Sequence, residues 1–319
     1  MQAVWTEENK IVLAEAGNDE IKRYGAPATC SDKVIEKLGK RGKRIMKKKV
    51  LATILASVLA LGVFAGCGGS DAASGDDKVI TVGASSTPHA EILEQAKPIL
   101  AEQGYTLEIT VFDDYVIPNE VVESGEMDAN YFQHIPYLES FNVEKGTHLV
   151  NAGGIHYEPF GIYPGQKASL ADIAEGDVIA VPNDTTNEAR ALLLLEANGL
   201  LTLKADAGLT ATINDITENP YNLTFQELAA EQVARVKDEV AFIVLNGNYA
   251  LQAGFSVAKD AIAYETSDST AAQTYVNVIA VKEGNENNGD IKALIAVLTS
   301  DAIKEYINNT YDGSVIPFE

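Results

Sequence analysis

From Lys78 onward the chain alternates between two hydrophobic periods. Val79-Ile80-Thr81-Val82 is a short apolar run of strand type, and Leu107 to Phe112 alternates as a half-buried strand does. Between them Ile92, Leu93, Ala96 and Leu100 recur at helical spacing, which predicts a helix ending near Gly104. Ser85-Ser86-Thr87-Pro88 supplies its start, a hydroxyl cap with proline in the first turn. Pro118 to Gly125 is predicted as a short helix. The alternation then returns: Asp177 to Val181 as strand, Thr185 to Asn198 as helix, Val240 to Leu245 as strand and Tyr249 to Ala253 as a helix start. Tyr275 to Val281 is a further strand, and Ile291 to Asn308 carries the terminal helices. No internal repeat of fixed period is visible.

Repeated strand–helix units imply an α/β fold of parallel sheets with helices on both faces. The chain from Lys78 is long enough for two such lobes. The stretch Ile155 to Tyr163, with Pro159 and Gly161, is predicted to cross between them, and Tyr264 to Ser269 to cross back. Residues 78–156 plus 266–319 then form lobe 1, and 157–265 lobe 2. Open sheets bind ligands beyond the carboxyl ends of their strands, so the residues just after strands matter most.

Upstream the pattern changes. Met46 and Lys47-Lys48-Lys49 precede the apolar run Val50 to Phe64, which ends in Ala65-Gly66-Cys67. This is the charged region, apolar region and small-residue cleavage site of a secretory signal over 46–66. The run is shorter than the roughly 20 residues of a spanning helix. Cysteine directly after Ala-Gly resembles a lipoprotein processing site, at which Cys67 becomes an acylated N-terminus on the outer face of the cell membrane. Gly68 to Asp77 then reads as a flexible tether. Lipidation of Cys67 leaves no disulfide to the body, because Cys30 lies upstream of the cut. Residues 1–45 carry no legible motif and are expected to precede the true start.

Charge sharpens the division. Residues 1–66 hold 12 Lys+Arg against 7 Asp+Glu, and the remainder 12 against 39. So acidic a body cannot neutralise phosphates, which excludes a nucleic-acid partner.

Four segments stand out at strand ends and helix starts. They are Phe112-Asp113-Asp114-Tyr115, the run Asp128 to Tyr137, the run Pro182 to Arg190, and Asn246-Gly247-Asn248-Tyr249. Together they offer aromatics, amides and one arginine, a set that suits a zwitterion with an apolar side chain. Arg190 can grip a carboxylate bidentately. Asn187 and Asn246 can orient polar groups without adding charge, and a thioether packs well against ring edges.

PHAEILEQAKPIL, DYVIPN, DANYFQHIPYL and PNDTTNEARALLLLEANGL, in this order, resemble the methionine-binding lipoprotein (NlpA) family. The Asp215 to Leu223 stretch, NGNYAL and YVNVIAV extend the likeness from about Lys78 to the C-terminus. The resemblance implies a two-lobed, periplasmic-binding-protein-like (type II) fold with methionine in the interlobe cleft. It also implies delivery to the permease and ATPase of an ABC importer. By position, Arg190 would hold the ligand carboxylate, with Asn187 and Asn246 at its polar end. Tyr115, Phe132, His134 and Tyr137 would line the side-chain pocket. No cofactor and no metal are implied.

Each residue has a plainer reading. Arg190 can be a surface ion pair with Glu188, His134 a helix cap, the aromatics ordinary core, and Asn248 a cap of the following helix. Asp113 and Asp114 read as solvated turn residues. Among rival functions, an enzyme needs a poised nucleophile and base, and no G-x-S-x-G, HExxH or P-loop occurs. With L-methionine first, a carrier of D-methionine, of another small apolar amino acid or of short methionine peptides stays open. So does a metal carrier using His134, His148, His156 and Glu158, although its amide and aromatic neighbours fit an amino acid better.

Overall fold

The computed structural model describes residues 78–266 and 270–319, with two short strands, Val4–Trp5 and Ile11–Val12, that pair antiparallel. The chain divides into two units, Met1–Ala72 and Ala73–Glu319. The expected signal sequence, Cys67 and the tether lie outside the described residues. Among the described residues no helix is long and apolar enough to cross a membrane.

The second unit opens with β1 (Lys78–Ala84), α1 (Glu91–Glu102), β2 (Tyr105–Val111) and α2 (Ile117–Glu123). Next come β3 (Ala129–His134), α3 (Ile135–Lys145) and β4 (Leu149–Tyr157). A second passage holds β5 (Gly161–Pro164), β6 (Val178–Pro182), α4 (Thr185–Ala197) and β7 (Thr224–Leu228). It closes with β8 (Phe242–Leu245), α5 (Gly247–Gln252) and β9 (Ala263–Tyr264). The chain returns through β10 (Val276–Lys282), α6 (Gly289–Leu298), α7 (Asp301–Thr310) and β11 (Ile316–Pro317).

These strands build the two lobes of an α/β fold. One sheet has the order β11-β4-β10-β3-β1-β2 and the other β7-β6-β8-β5-β9. In the first, alternate β1 residues Ile80 and Val82 meet Ile92, Leu93 and Leu100 of α1 and Leu294 and Leu298 of α6. In the second, Ile179 and Val181 of β6 pack on Leu192 and Leu195 of α4. The apolar period that predicts each element is thus the face it buries.

The sheets are mixed rather than all-parallel. β1 pairs parallel with β2 and β3, and β6 with β7 and β8. β10 runs antiparallel to β3 and β4, and β5 antiparallel to β8 and β9. The reason lies in the crossings. A strand entered from the other lobe starts at the shared edge, where β1, β3, β6 and β8 end, so β5 and β10 must run the opposite way. The first crossing is itself mostly strand, with only Glu158–Phe160 between β4 and β5.

Periodicity also hid β3. All six of its residues are buried, so no alternation marks it. Its polar members are paired internally: Gln133 Nε2 donates to Asn119 Oδ1 at 2.6 Å and Asn130 Nδ2 to the same oxygen at 2.8 Å. The Ser85 hydroxyl makes no cap bond, and α1 is preceded instead by a wide turn over Ser86–Ala90.

After β5 the chain presses against the loop before β8. Gly165 N donates to Ala241 O at 3.2 Å, and a Cβ at Gly165 would stand 2.3 Å from Val240 O. Backbone carbonyls cannot swing aside as side-chain ends do. Gly165→Ala should therefore lower stability by about 1–3 kcal/mol or more. Gly289→Ala, at the open start of α6, should cost nothing. Thermal melts of the two variants check this contrast.

Candidate functional site

Strand ends and helix starts from both lobes close tightly around one small cavity of about 10 Å³. Tyr115, Phe132, His134 and Tyr137 line it from the first lobe, and Asn187, Arg190 and Asn246 from the second. The seven residues expected to contact the ligand therefore line one space. Gln133, Glu158, Gly247, Asn248 and Asn277 also line it.

The rings form one wall. Tyr115 lies 5.5 Å from Phe132, 5.6 Å from Tyr137 and 4.9 Å from Tyr249, centroid to centroid. Tyr115 is held at both ends: its hydroxyl donates to Asn248 Oδ1 at 2.5 Å and its carbonyl accepts from Tyr137 Oη at 3.0 Å. Tyr249 closes one of the four segments singled out from the sequence but was not named for the pocket, and its hydroxyl crosses between lobes to Asp113 O at 2.9 Å. Asp114 is no idle turn residue, since its carboxylate accepts the Val116 and Ile117 N–H groups at the start of α2.

His134 is both helix cap and pocket wall. Its Nδ1 accepts the Tyr137 N–H at 3.1 Å, which places the proton on Nε2, 3.0 Å from Asn187 Oδ1. Burial and the Arg190 charge push its pKa down to about 3, so the ring is neutral. Asn187 is saturated. Its Oδ1 also accepts from Asn246 Nδ2 at 2.8 Å, and its Nδ2 donates to both carboxylate oxygens of Asp184, the N-cap of α4. Asn187 therefore acts as a strut that fixes His134 and Asn246.

Two amide ends remain open. With Asn246 Nδ2 and Asn248 Oδ1 engaged, Asn246 Oδ1 and Asn248 Nδ2 are buried without a partner. An unmatched buried polar atom costs about 1–3 kcal/mol. One open acceptor beside one open donor is what a zwitterion satisfies.

Arg190 is not a surface ion pair with Glu188. It is buried, and its fork meets Glu265: Nε to Oε1 at 2.9 Å and Nη2 to Oε2 at 2.6 Å. Nη2 also donates to Glu158 O at 3.0 Å. Those contacts leave the Nη1 arm outside both. The guanidinium stacks between Tyr275, 4.0 Å from the ring centroid, and Phe160, at 4.8 Å. Burial alone would favour loss of its proton, but the Glu265 carboxylate outweighs that and holds the pKa above the usual arginine range.

Glu158 is the acid the sequence reading missed as a pocket residue. Its Oε1 lies 2.8 Å from His156 Nε2 and 3.4 Å from His89 Nε2, all three side chains buried. Burial raises its pKa against the pull of His89, the Asn248 N–H and Arg190. Behind it, Tyr131 Oη bonds His156 Nδ1, and His89 Nε2 also meets Asn277 Oδ1 at 3.0 Å. Among the described residues these three are the one group that could converge on a metal, with one ligand atom each within 4.8 Å of the others. Hydrogen bonds already join them. The metal set expected as a rival does not form: His148 is exposed beside Glu123, and His134 faces Asn187.

Residues 80–319 match the family described as NlpA lipoprotein. The chain belongs to that family. Methionine-binding lipoprotein MetQ of Bacillus subtilis (strain 168) is 44% identical over 276 residues, 85% of this chain and 99% of that protein. Among NlpA-type solved structures, a putative lipoprotein from Ruminococcus gnavus ATCC 29149 is 74% identical. It matches with a TM-score of 0.76 over 76% of this chain and all (100%) of that one. A nutrient binding protein from Burkholderia cenocepacia bound to methionine is 40% identical, with a TM-score of 0.72 over 75% of this chain and 100% of that one. The relatives are thus binding proteins rather than enzymes, and membrane lipoproteins by name.

Three buried neutral histidines make this NlpA fold sensitive to acid. Burial lowers His89 to about 4 and His156 to about 3, as it does His134. A depressed histidine contributes stability present above its unfolded pKa, near 6.5, and lost as pH falls toward the folded value. The raised acids Glu158 and Asp184 oppose this trend, so a single variant must isolate it. From pH 7 to 5 the parent should lose on the order of 2 kcal/mol more than His156→Gln. Urea midpoints of both proteins across that range test it, and parallel curves would contradict it.

Proposed function

We propose that this protein captures methionine between its lobes, outside the cytoplasmic membrane, and delivers it to the permease and ATPase of an ABC importer. One observation carries the reading: Arg190, an open amide acceptor on Asn246 and an open amide donor on Asn248 line the same cavity as the rings of Tyr115, Phe132 and Tyr137. The ligand carboxylate takes Arg190 Nη1 and Asn248 Nδ2, and the amine takes Asn246 Oδ1. The thioether lies among Tyr115, Phe132 and Tyr137, with His134 and Asn187 bracing the wall. Methionine in the name of the Bacillus subtilis relative, and bound in the Burkholderia structure, supports the same choice. The two sheets support a division close to the expected 78–156 plus 266–319 and 157–265, except that Tyr157 ends β4 and so goes with the first lobe, with Glu158–Phe160 and Glu265 in the crossings.

The importer partner and the location rest on the family and on the sequence around Cys67. Two or more acyl chains give stable membrane anchoring where one does not. Fatty-acid labelling in cells should therefore vanish in Cys67→Ser, and label that persists there would overturn the anchor.

Truncating one member of a buried, hydrogen-bonded charge pair costs about 2–5 kcal/mol. Arg190→Ala should thus weaken methionine binding at least about thirtyfold. Arg190→Lys keeps a charge opposite Glu265 but loses the fork, so it should fold and still bind more weakly than the parent. Tyr137→Ala should harm methionine more than alanine, because it removes apolar wall and the hydroxyl that holds Tyr115, both at the side-chain end of the pocket. Titration calorimetry suits the test, since Trp5 is the sole tryptophan. A folded Arg190→Lys that binds methionine as tightly as the parent would contradict the assigned role.

A further inference from the structure

Among the described residues, Glu158 is the only carboxylate lining the cavity. The other acids nearby are already engaged. Asp184 is taken by Asn187, and Glu265 by Arg190, Tyr157 Oη and the Phe160 N–H. Glu158 has no such cation of its own. Arg190 reaches only its backbone carbonyl, so the side chain is held by neutral donors. Tyr131 Oη meets His156 Nδ1, and where that hydroxyl donates, the His156 proton sits on Nε2, 2.8 Å from Glu158 Oε1. His89 Nε2 faces two oxygens, Asn277 Oδ1 and Glu158 Oε1, so it too carries a proton, while its Nδ1 is buried without a partner. The other carboxylate oxygen lies against Gly247, where a Cβ would come within 2.7 Å of it.

We propose that Glu158 makes the pocket select a free, protonated α-amine, with His89 and His156 as the residues that position it. We infer further that capturing such an amine expels a proton from the cluster. The proposal deepens the methionine reading and rests on it. In the empty cleft a buried carboxylate without a cation favours its protonated form, and burial indeed raises Glu158. The titratable groups facing it are His89, His156, Arg190, Tyr115, Tyr131 and Tyr163. Both histidines are pushed down and the tyrosines up, so none of these supplies or removes a proton near neutrality. An incoming ammonium replaces the proton: the acid and the ammonium become carboxylate and ammonium, and one proton passes to solvent.

The test is calorimetric titration of the full protein with L-methionine from pH 4.5 to 7.5, in buffer pairs of differing ionisation heat. Proton release should be near zero at the top of the range and approach about one per site as pH falls, with affinity dropping up to about tenfold per pH unit. The deamino analogue 4-(methylsulfanyl)butanoate should bind weakly and release none. Glu158→Gln should abolish release, His89→Phe should move its onset to higher pH, and His89→Gln, which keeps a donor, should stay near the parent. Methionine binding without proton release across the range overturns this proposal alone, as does release that survives in Glu158→Gln. If the substitutions unfold the protein, the parent and the analogue still decide. Failure of the folded parent to bind methionine at all overturns the underlying reading as well.

Discussion

The buried pair of Arg190 and Glu265 is the constraint on which the molecule depends. Arg190 projects from α4 in the second lobe, and Glu265 lies just after β9, where the chain returns to the first. The same guanidinium holds Glu158 O at the first crossing and stacks on Tyr275 at the entrance to β10. One side chain thus pins both connections between the lobes. Removing either charge would strand the other, at a cost of about 3–5 kcal/mol. The pair therefore ties the two crossings together, and its Arg190 member also lines the cavity.

Around that cavity the lobes meet through polar bonds rather than apolar core. Tyr115 with Asn248, His134 with Asn187, Tyr249 with Asp113 and Thr185 with Glu144 all link segments of one lobe to segments of the other. Such bonds exchange readily with water when the lobes part, whereas apolar faces would resist opening. The aromatic wall is different. It is shared between lobes, with Tyr249 brought by α5 to rings from the first lobe.

Much of this was legible in the chain. An element with one buried face, such as α1, follows its apolar period closely, and α4 was legible from its run of leucines although it is buried nearly all round. The residues of the cavity were legible because they cluster as amides and rings at strand ends. Three things were not. β3 is covered on both faces and carries amides that satisfy one another, so neither period nor composition marks it as strand. The antiparallel members β5 and β10 take their direction from the crossings, which local sequence does not encode. Glu158 and Glu265 lie in short crossings with no neighbouring motif. Their importance comes from Arg190, His89 and His156, which are distant in the chain and meet them only on folding.

The account's central claim is that the Arg190 fork serves two carboxylates at once, one from the protein and one from methionine. A crystal structure of the protein with L-methionine tests it most directly. The predicted result places the ligand carboxylate on Nη1 of Arg190 with Glu265 still on Nε, and the thioether among Tyr115, Phe132 and Tyr137. A cleft that stays empty at saturating methionine, or a ligand carboxylate held away from Arg190, would contradict it.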